Sequence, residues 1–282
     1  MRDVSVGQYY AVNSVIHRLD PRIKLVLTIA YIVMVFFLDR FVGYGALLLL
    51  LIAVTIVAKI PFLKLLRSMR GILFLLTFTL VLTVLFYRGA QEDMLWSLWI
   101  IKIYRQGLIN SGMLACRLIL LMLGPTLLTL TTTPVELTDA IESLLKPLSY
   151  IKVPVHEFTL IMSIALRLIP AFSEETEKII SAQKARCADF ESGNLFRRAK
   201  ALIPILIPLF VSSFSRANDL ADAMDSRCYR GAKGRTRMKI MKFRLRDSVA
   251  FFLFTAVFFG FLLFRYNWFG FTWLTWFKGI VL

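Results

Sequence analysis

The sequence is poor in the side chains that most often build catalytic and metal-binding sites. It contains two histidines and three cysteines in 282 residues. Cys116, Cys187 and Cys228 form neither a CxxC pair nor an even-numbered framework, so we predict free thiols and no metal site. His17 and His156 each stand without a cysteine or a carboxylate pair at metal-ligand spacing. We therefore expect no cofactor and no Ser-His-Asp or Cys-His catalytic site.

The sequence also lacks two devices that supply energy for transport. It has no GxxxxGK[ST] motif, so it cannot hold a nucleotide in a P-loop. Its long apolar segments contain no acidic residue in their interiors, where proton- or sodium-coupled carriers usually keep one. A membrane protein with neither device is expected to receive its energy from another subunit.

Long apolar runs dominate the rest of the chain. Hydrophobic residues make up 58% of it and the mean hydropathy is +0.69. A helix of about 20 apolar residues crosses a bilayer core. The predicted fold class is an all-α polytopic membrane protein, with about five transmembrane helices and a cytosolic region of long amphipathic helices. The predicted spans are 24–38, 44–58, 72–87, 108–131 and 249–264.

Basic residues lie beside the apolar runs. The net charge is +16, and the 59–70 connection carries Lys59, Lys64, Arg67 and Arg70 without any acidic residue. A second run, 231–246, has seven basic residues and no acidic one. Basic loops favour the cytosolic side. We predict a multi-pass protein of the cell membrane, with a cytosolic N-terminus, no removable signal peptide, and a lipid bilayer rather than nucleic acid as its neighbour.

Three regions follow from these patterns. Residues 1–131 form an N-terminal membrane region, 132–246 a cytosolic region, and 247–282 the last span with an aromatic belt of Trp268, Trp273 and Trp276. Amphipathic helices are predicted at about 134–148, 156–187 and 200–228. Asp20 before Pro21, and the capping box Thr133-Pro134-Val135-Glu136, predict two helix starts. The apolar parts of the two longer helices are shorter than ~20 residues, so we interpret them as lying beneath the membrane.

The two long amphipathic helices end in nearly the same way. One closes with Ala182-Gln-Lys-Ala-Arg186-Cys187 and the other with Ala223-Met-Asp-Ser-Arg227-Cys228. An arginine in the last turn interacts favourably with the helix dipole by ~0.3–1 kcal/mol, so each could serve only as a cap. A guanidinium on a long stem also suits bidentate pairing with a carboxylate in a partner's groove. The residues alone leave both interpretations open.

Arg117 lies within the fourth predicted span and is a candidate intramembrane or interface polar site. A charge at the centre of a membrane helix costs ~2.5–3.5 kcal/mol on insertion scales, which makes function the default interpretation. The structural alternative is a span that starts near Met113, with Arg117 reaching the outer interface along its apolar stem. We favour the structural alternative.

Several segments together resemble the transmembrane (T) component of energy-coupling factor transporters, the EcfT/CbiQ family of ABC-type vitamin and metal importers. The resemblance covers nearly the whole chain. It is carried by the segments 17–22, 133–137, 153–157, 165–170, 182–186 and 223–231. It implies a non-enzymatic subunit that joins two cytosolic ABC-type ATPases to a membrane-embedded, substrate-binding S component of a vitamin or micronutrient importer. The Val-Pro-Val-His-Glu157 segment further suggests several S components sharing one T subunit.

In that family, short Ala-Arg-Gly-like motifs at the ends of two long helices each enter a groove on one ATPase. The matching residues here are Ala185, Arg186 and Cys187, then Ser226, Arg227 and Cys228. Cysteine therefore stands in place of glycine twice. Because glycine adopts the left-handed helix cap most freely, the replacement raises the question of how these two helices end.

Two other classes of function stay open. A self-sufficient secondary transporter with a basic cytosolic domain would show ion-driven transport by the chain alone. A membrane enzyme using Arg117 or the glutamates of the cytosolic region would need a polar intramembrane cavity.

Overall fold

The computed structural model describes residues 9–38, 41–68, 70–87, 94–98, 101–188, 190, 194–231 and 243–266. These residues fall into two compact units. Residues 9–137 together with 243–266 form the bundle unit, and residues 138–231 form the long-helix unit. The Trp268 belt and most of the second basic run lie outside the described residues.

The bundle unit is built from apolar helices. They are α1 (Pro21–Phe36), α2 (Phe41–Ala58), α3 (Phe62–Ser68), α4 (Arg70–Phe86), α5 (Arg105–Thr131) and α9 (Leu245–Tyr266). Between α4 and α5 lies an antiparallel hairpin of β1 (Met94–Leu98) and β2 (Ile101–Tyr104). The helix α6 (Pro134–Leu145) begins at the end of this unit. The all-α membrane class is confirmed, with this hairpin as an unpredicted addition.

The long-helix unit continues from α6. A 3-10 turn over Lys146–Ile151 follows, because Pro147 cannot continue an α-helix, so α6 ends three residues before the predicted 148. Next come α7 (Val155–Ala185) and α8 (Leu195–Ser226). The helix α8 starts five residues before the predicted 200, where the Arg198 N–H donates to the Asn194 carbonyl.

Both predicted helix starts are confirmed. Asp20 precedes Pro21 and its carboxylate accepts the Arg22 N–H at 2.9 Å. At α6, the Thr133 hydroxyl accepts the Glu136 N–H at 3.3 Å and the Glu136 carboxylate accepts the Thr133 N–H at 3.5 Å. The local sequence therefore decides where α1 and α6 begin.

The bundle core lies between α1, α2 and α5. Met34 and Val35 of α1, Leu47 of α2, and Leu120 and Leu130 of α5 are fully buried. Outward-facing side chains are also apolar, and Phe74 of α4 is 80% exposed. Such an apolar exterior is costly in water and suits a surface in contact with lipid.

Among the described residues, five helices are long and apolar enough to cross a membrane: α2, α5, α7, α8 and α9. Three of them, α2, α5 and α9, coincide with predicted spans. The predicted spans 24–38 and 72–87 fall on α1 and α4, which have 16 and 17 residues and are shorter than these five. Length and composition would permit α7 and α8 to cross as well. The apolar parts of α7 and α8 are therefore not too short to cross a bilayer, contrary to the expectation from the sequence. The position of the two helices beneath the membrane stays a prediction.

Candidate functional site

The helix α7 ends in a hydrogen-bonded left-handed cap. Arg186 follows its last residue, Ala185, and Cys187 has a positive φ of 64°. The Cys187 N–H donates to the Lys184 carbonyl and the Ala188 N–H donates to the Gln183 carbonyl, both at 3.0 Å. These two bonds define a Schellman motif, which satisfies carbonyls that the helix end would otherwise leave unpaired.

The helix α8 ends in the same way. Arg227 follows Ser226, and Cys228 has a φ of 54°. The Cys228 N–H donates to the Asp225 carbonyl at 2.9 Å and the Tyr229 N–H donates to the Met224 carbonyl at 3.0 Å. The repeat seen in the sequence is therefore a repeat of backbone geometry.

These caps show how the helices end without glycine. Cys187 and Cys228 occupy the left-handed position themselves, at a cost of roughly 1–2 kcal/mol for a side chain with a Cβ. Both thiols are exposed. The two arginines are also exposed, and neither guanidinium has an ion-pair partner among the described residues.

The cap by itself does not identify a docking site. The helix α2 ends with Lys59 at a φ of 56°, and the same two types of hydrogen bond follow it. What distinguishes α7 and α8 is an exposed arginine directly before the left-handed residue. The candidate docking residues are therefore Arg186 and Arg227, each exposed at a helix end that is closed by hydrogen bonds.

An ion pair joins α7 to α8 well before those ends. The Arg216 guanidinium donates to the Glu175 carboxylate at 2.7 Å and lies 5.6 Å from the Phe172 ring centroid. Arg186 lies eleven positions after Glu175, and Arg227 lies eleven positions after Arg216. This ion pair, the Glu175–Arg216 tie, is therefore about 16 Å along the helix from each of the two arginines.

The sequence allows Glu175 to pair with a basic residue on the neighbouring helix, but it does not identify Arg216 as the partner. Sequence reasoning also treated His156 as isolated. The His156 Nδ1 lies 3.2 Å from a Glu142 carboxylate oxygen, which connects the start of α7 to α6. No local spacing rule relates either pair, so only the packing of the helices reveals them.

Arg117 has structural partners inside the bundle unit. Its Nε donates to the Tyr44 hydroxyl at 3.0 Å and its Nη2 donates to the Leu38 carbonyl at 2.9 Å. The Tyr44 hydroxyl donates to the same carbonyl at 2.7 Å. Arg117 thus ties α5 to α2 and to Leu38 after the end of α1, a structural role, whereas its position at the outer interface stays a prediction.

Comparison with known proteins gives consistent matches. A family model described as CbiQ, cobalt transport protein, matches residues 12–240. The chain is 47% identical over 250 residues to the energy-coupling factor transporter transmembrane protein EcfT of Clostridium kluyveri, covering 89% of this chain and 92% of the relative. The EcfT protein of Thermosediminibacter oceani is 44% identical over 268 residues, covering 95% and 100%. That of Bacillus subtilis is 41% identical over 248 residues, covering 88% and 93%.

The family match extends into both units and includes both arginine-tipped helix ends. They also agree with the multi-pass helical fold. The chain therefore belongs to the EcfT/CbiQ family, as the non-catalytic transmembrane component of an energy-coupling factor transporter.

Proposed function

We propose that this chain couples two cytosolic ABC-type ATPases to a membrane-embedded S component that binds a vitamin or micronutrient. Arg186 and Arg227 each dock one ATPase. The observation that carries the proposal is the matched pair of exposed arginines on identically capped helix ends. Two equivalent ends suit two similar partner subunits.

The proposed docking contact is an ion pair in a groove of each ATPase. The Schellman caps fix the backbone on both sides of the arginine, so the side chain enters the groove from a defined direction. A guanidinium can pair with a carboxylate through two parallel hydrogen bonds. Removing one partner of such a buried pair typically costs 2–5 kcal/mol or more, which is at least ~30-fold in affinity.

The proposed S-component surface is the apolar first part of the same two helices. Phe158 and Ile161 of α7 are exposed, as are Phe210, Val211 and Phe214 of α8. Exposed apolar patches of this kind mark partner or membrane contacts. In this proposal α7 and α8 lie at the cytosolic membrane face, which requires a cytosolic N-terminus and long-helix unit.

Charge reversal tests the docking proposal. We expect Arg186→Glu or Arg227→Glu to weaken co-purification of one ATPase at least ~30-fold, and the double variant to abolish ATP-driven uptake in proteoliposomes. Lys178→Glu and Arg198→Glu reverse exposed charges on the same helices and should leave both activities unchanged. Full assembly and uptake by the double variant would contradict the proposal. Ion-driven uptake by the purified chain alone would instead support a self-sufficient carrier.

A further inference from the structure

The short helix α3 is held firmly against the bundle. The helix α2 ends in a left-handed cap at Lys59, whose N–H donates to the Ile56 carbonyl at 3.0 Å. Ile60 and Leu65 are buried, and Leu65 belongs to the core cluster of the bundle unit. The position of α3 at the end of α2 is therefore fixed by packing and not only by the connection.

The outward surface of α3 combines apolar and basic side chains. Leu63 is 79% exposed, and Phe62 and Leu66 are exposed beside it. Lys59, Lys64 and Arg67 are exposed as well. No aspartate or glutamate occurs anywhere between positions 41 and 91. In water the exposed apolar side chains are unfavourable. At a negatively charged membrane surface they contact lipid, and the basic side chains interact with the headgroups.

Two further features favour a lipid as the occupant. A small apolar pocket lies beside α3, lined by residues that include Thr55 of α2, Phe62 and Leu65 of α3, and Leu127 of α5. The Lys64 ammonium lies 4.1 Å from the centroid of the Tyr10 ring, so one basic group is held in place. The exposed apolar side chains of α3 can contact acyl chains while the Lys64 ammonium faces a headgroup.

The position of α3 along the chain places it at the membrane surface. The helix α2 is long and apolar enough to cross the bilayer, and only three residues separate it from α3. Three extended residues reach about 10 Å at most. A helix this close to the end of a span lies at the boundary between headgroups and acyl chains, where amphipathic basic helices bind.

We propose that α3 and Lys59 form a binding site for an anionic phospholipid. Lys59, Lys64 and Arg67 hold the headgroup phosphate, and Phe62, Leu63 and Leu66 contact the acyl region. Each basic side chain at an anionic surface contributes about a fivefold preference for charged over neutral lipid. The proposal depends on the membrane topology of the bundle unit and not on ATPase docking.

Depth-dependent fluorescence quenching tests this site. An environment-sensitive fluorophore is attached to Leu63→Cys in full-length chain that also carries Cys116→Ala, Cys187→Gly and Cys228→Gly. The protein is placed in vesicles containing brominated phosphatidylglycerol, or brominated phosphatidylcholine, at equal mole fractions. We expect quenching by phosphatidylglycerol to be at least about twofold stronger, and the difference to shrink in 0.5 M salt.

A second set of variants separates charge from folding. Lys59→Gln/Lys64→Gln/Arg67→Gln should equalise quenching by the two lipids, whereas Arg198→Gln/Lys200→Gln, which neutralises exposed charges on α8, should preserve the difference. Lys64→Arg keeps the positive charge at this position and should preserve the difference in quenching between the two lipids. It shows that a substitution on α3 does not by itself remove the difference. Equal quenching by both lipids in the labelled chain with its three basic residues intact would overturn the anionic preference. Absence of quenching by either lipid would overturn the membrane contact, leaving α3 facing water or a protein partner.

Discussion

The side chain of Asp247 accepts the backbone N–H of Asp20 at 2.9 Å, although 227 residues separate the two in the sequence. The other oxygen of the same carboxylate accepts the Arg244 N–H at 2.8 Å, directly before α9. Asp20 in turn caps α1. One buried carboxylate therefore joins the starts of α1 and α9, so both helices enter the bundle from the same side.

Lys24 brings the end of α5 to this junction. Its ammonium donates to the Thr131 carbonyl at 3.0 Å and to the His17 carbonyl at 3.2 Å, and Lys24 is only 6% exposed. Burial disfavours its charge, and the carboxylates of Glu136, Asp20 and Asp247 offset that effect in part. These contacts give a structural role to the 17–22 segment, one of the segments that carry the family resemblance.

We predict that Asp247→Ala destabilises the bundle unit by about 2–4 kcal/mol. The substitution leaves two backbone N–H groups without their acceptor and removes an acidic group close to Lys24. Thermal unfolding in detergent measures the effect. Asp247→Asn keeps an acceptor and should cost less, and Asp219→Ala, at an exposed position on α8, should cost almost nothing. Equal unfolding temperatures for the Asp247 and Asp219 variants would contradict this account.

We predict a close steric limit at Gly124. A Cβ added there would lie 2.5 Å from the Tyr31 ring, whose hydroxyl donates to the Leu120 carbonyl at 2.9 Å. Gly124→Ala should therefore force α1 and α5 apart and cost about 1–3 kcal/mol. Gly45→Ala is the matched control, because nothing lies within 4 Å of its added Cβ and alanine favours a helix. Equal unfolding temperatures for the two variants would show that the close approach of α1 and α5 does not restrict the size of residue 124.

We predict that glycine at the two cap positions strengthens the helix ends. Cys187→Gly and Cys228→Gly remove the strain of a left-handed residue, offset partly by a more flexible unfolded chain, for a net gain of roughly 0–1 kcal/mol. Hydrogen exchange reports the gain locally, since the Ala188 and Tyr229 amides donate the closing bonds. Their protection should rise in the glycine variants and fall in Cys187→Val and Cys228→Val. Unchanged protection in all four variants would show that the conformation of residues 187 and 228 does not determine the stability of the helix ends.

We predict that the Glu175–Arg216 tie sets the spacing of the arginine tips and adds little stability. Because both side chains are partly exposed, solvent screens the pair and its contribution to stability is small. Spin labels on the native Cys187 and Cys228, in a Cys116→Ala chain, report the distance between the tips. The distance distribution should broaden in Glu175→Gln and narrow again in the exchanged pair Glu175→Arg/Arg216→Glu. An unchanged distribution in Glu175→Gln would show that packing alone holds the two helices.

Local patterns were sufficient wherever the physical cause was local. Asp20 and the Thr133–Glu136 capping box predict helix starts because the bonded groups lie within three residues. Apolar runs likewise predict the spans in α2, α5 and α9. The arginine ends were visible as a repeat, but their left-handed cysteines were not, because side-chain type favours glycine there.

Contacts between distant segments could not be predicted in this way. The partners Asp20 and Asp247, or Glu175 and Arg216, are related only by how helices pack. The hairpin β1–β2 and the helix α3 lie in connections between predicted spans, for which no secondary structure was predicted. Composition indicates the environment of such a segment but not its backbone.

The equal spacing of the arginines from the tie has a mechanical consequence. If α7 and α8 turn about the Glu175–Arg216 contact, the two tips lie on arms of equal length, eleven residues each. Equal rotations of the two helices then move the two tips through equal distances. If Arg186 and Arg227 each dock one ATPase, as proposed above, neither ATPase has the longer lever arm.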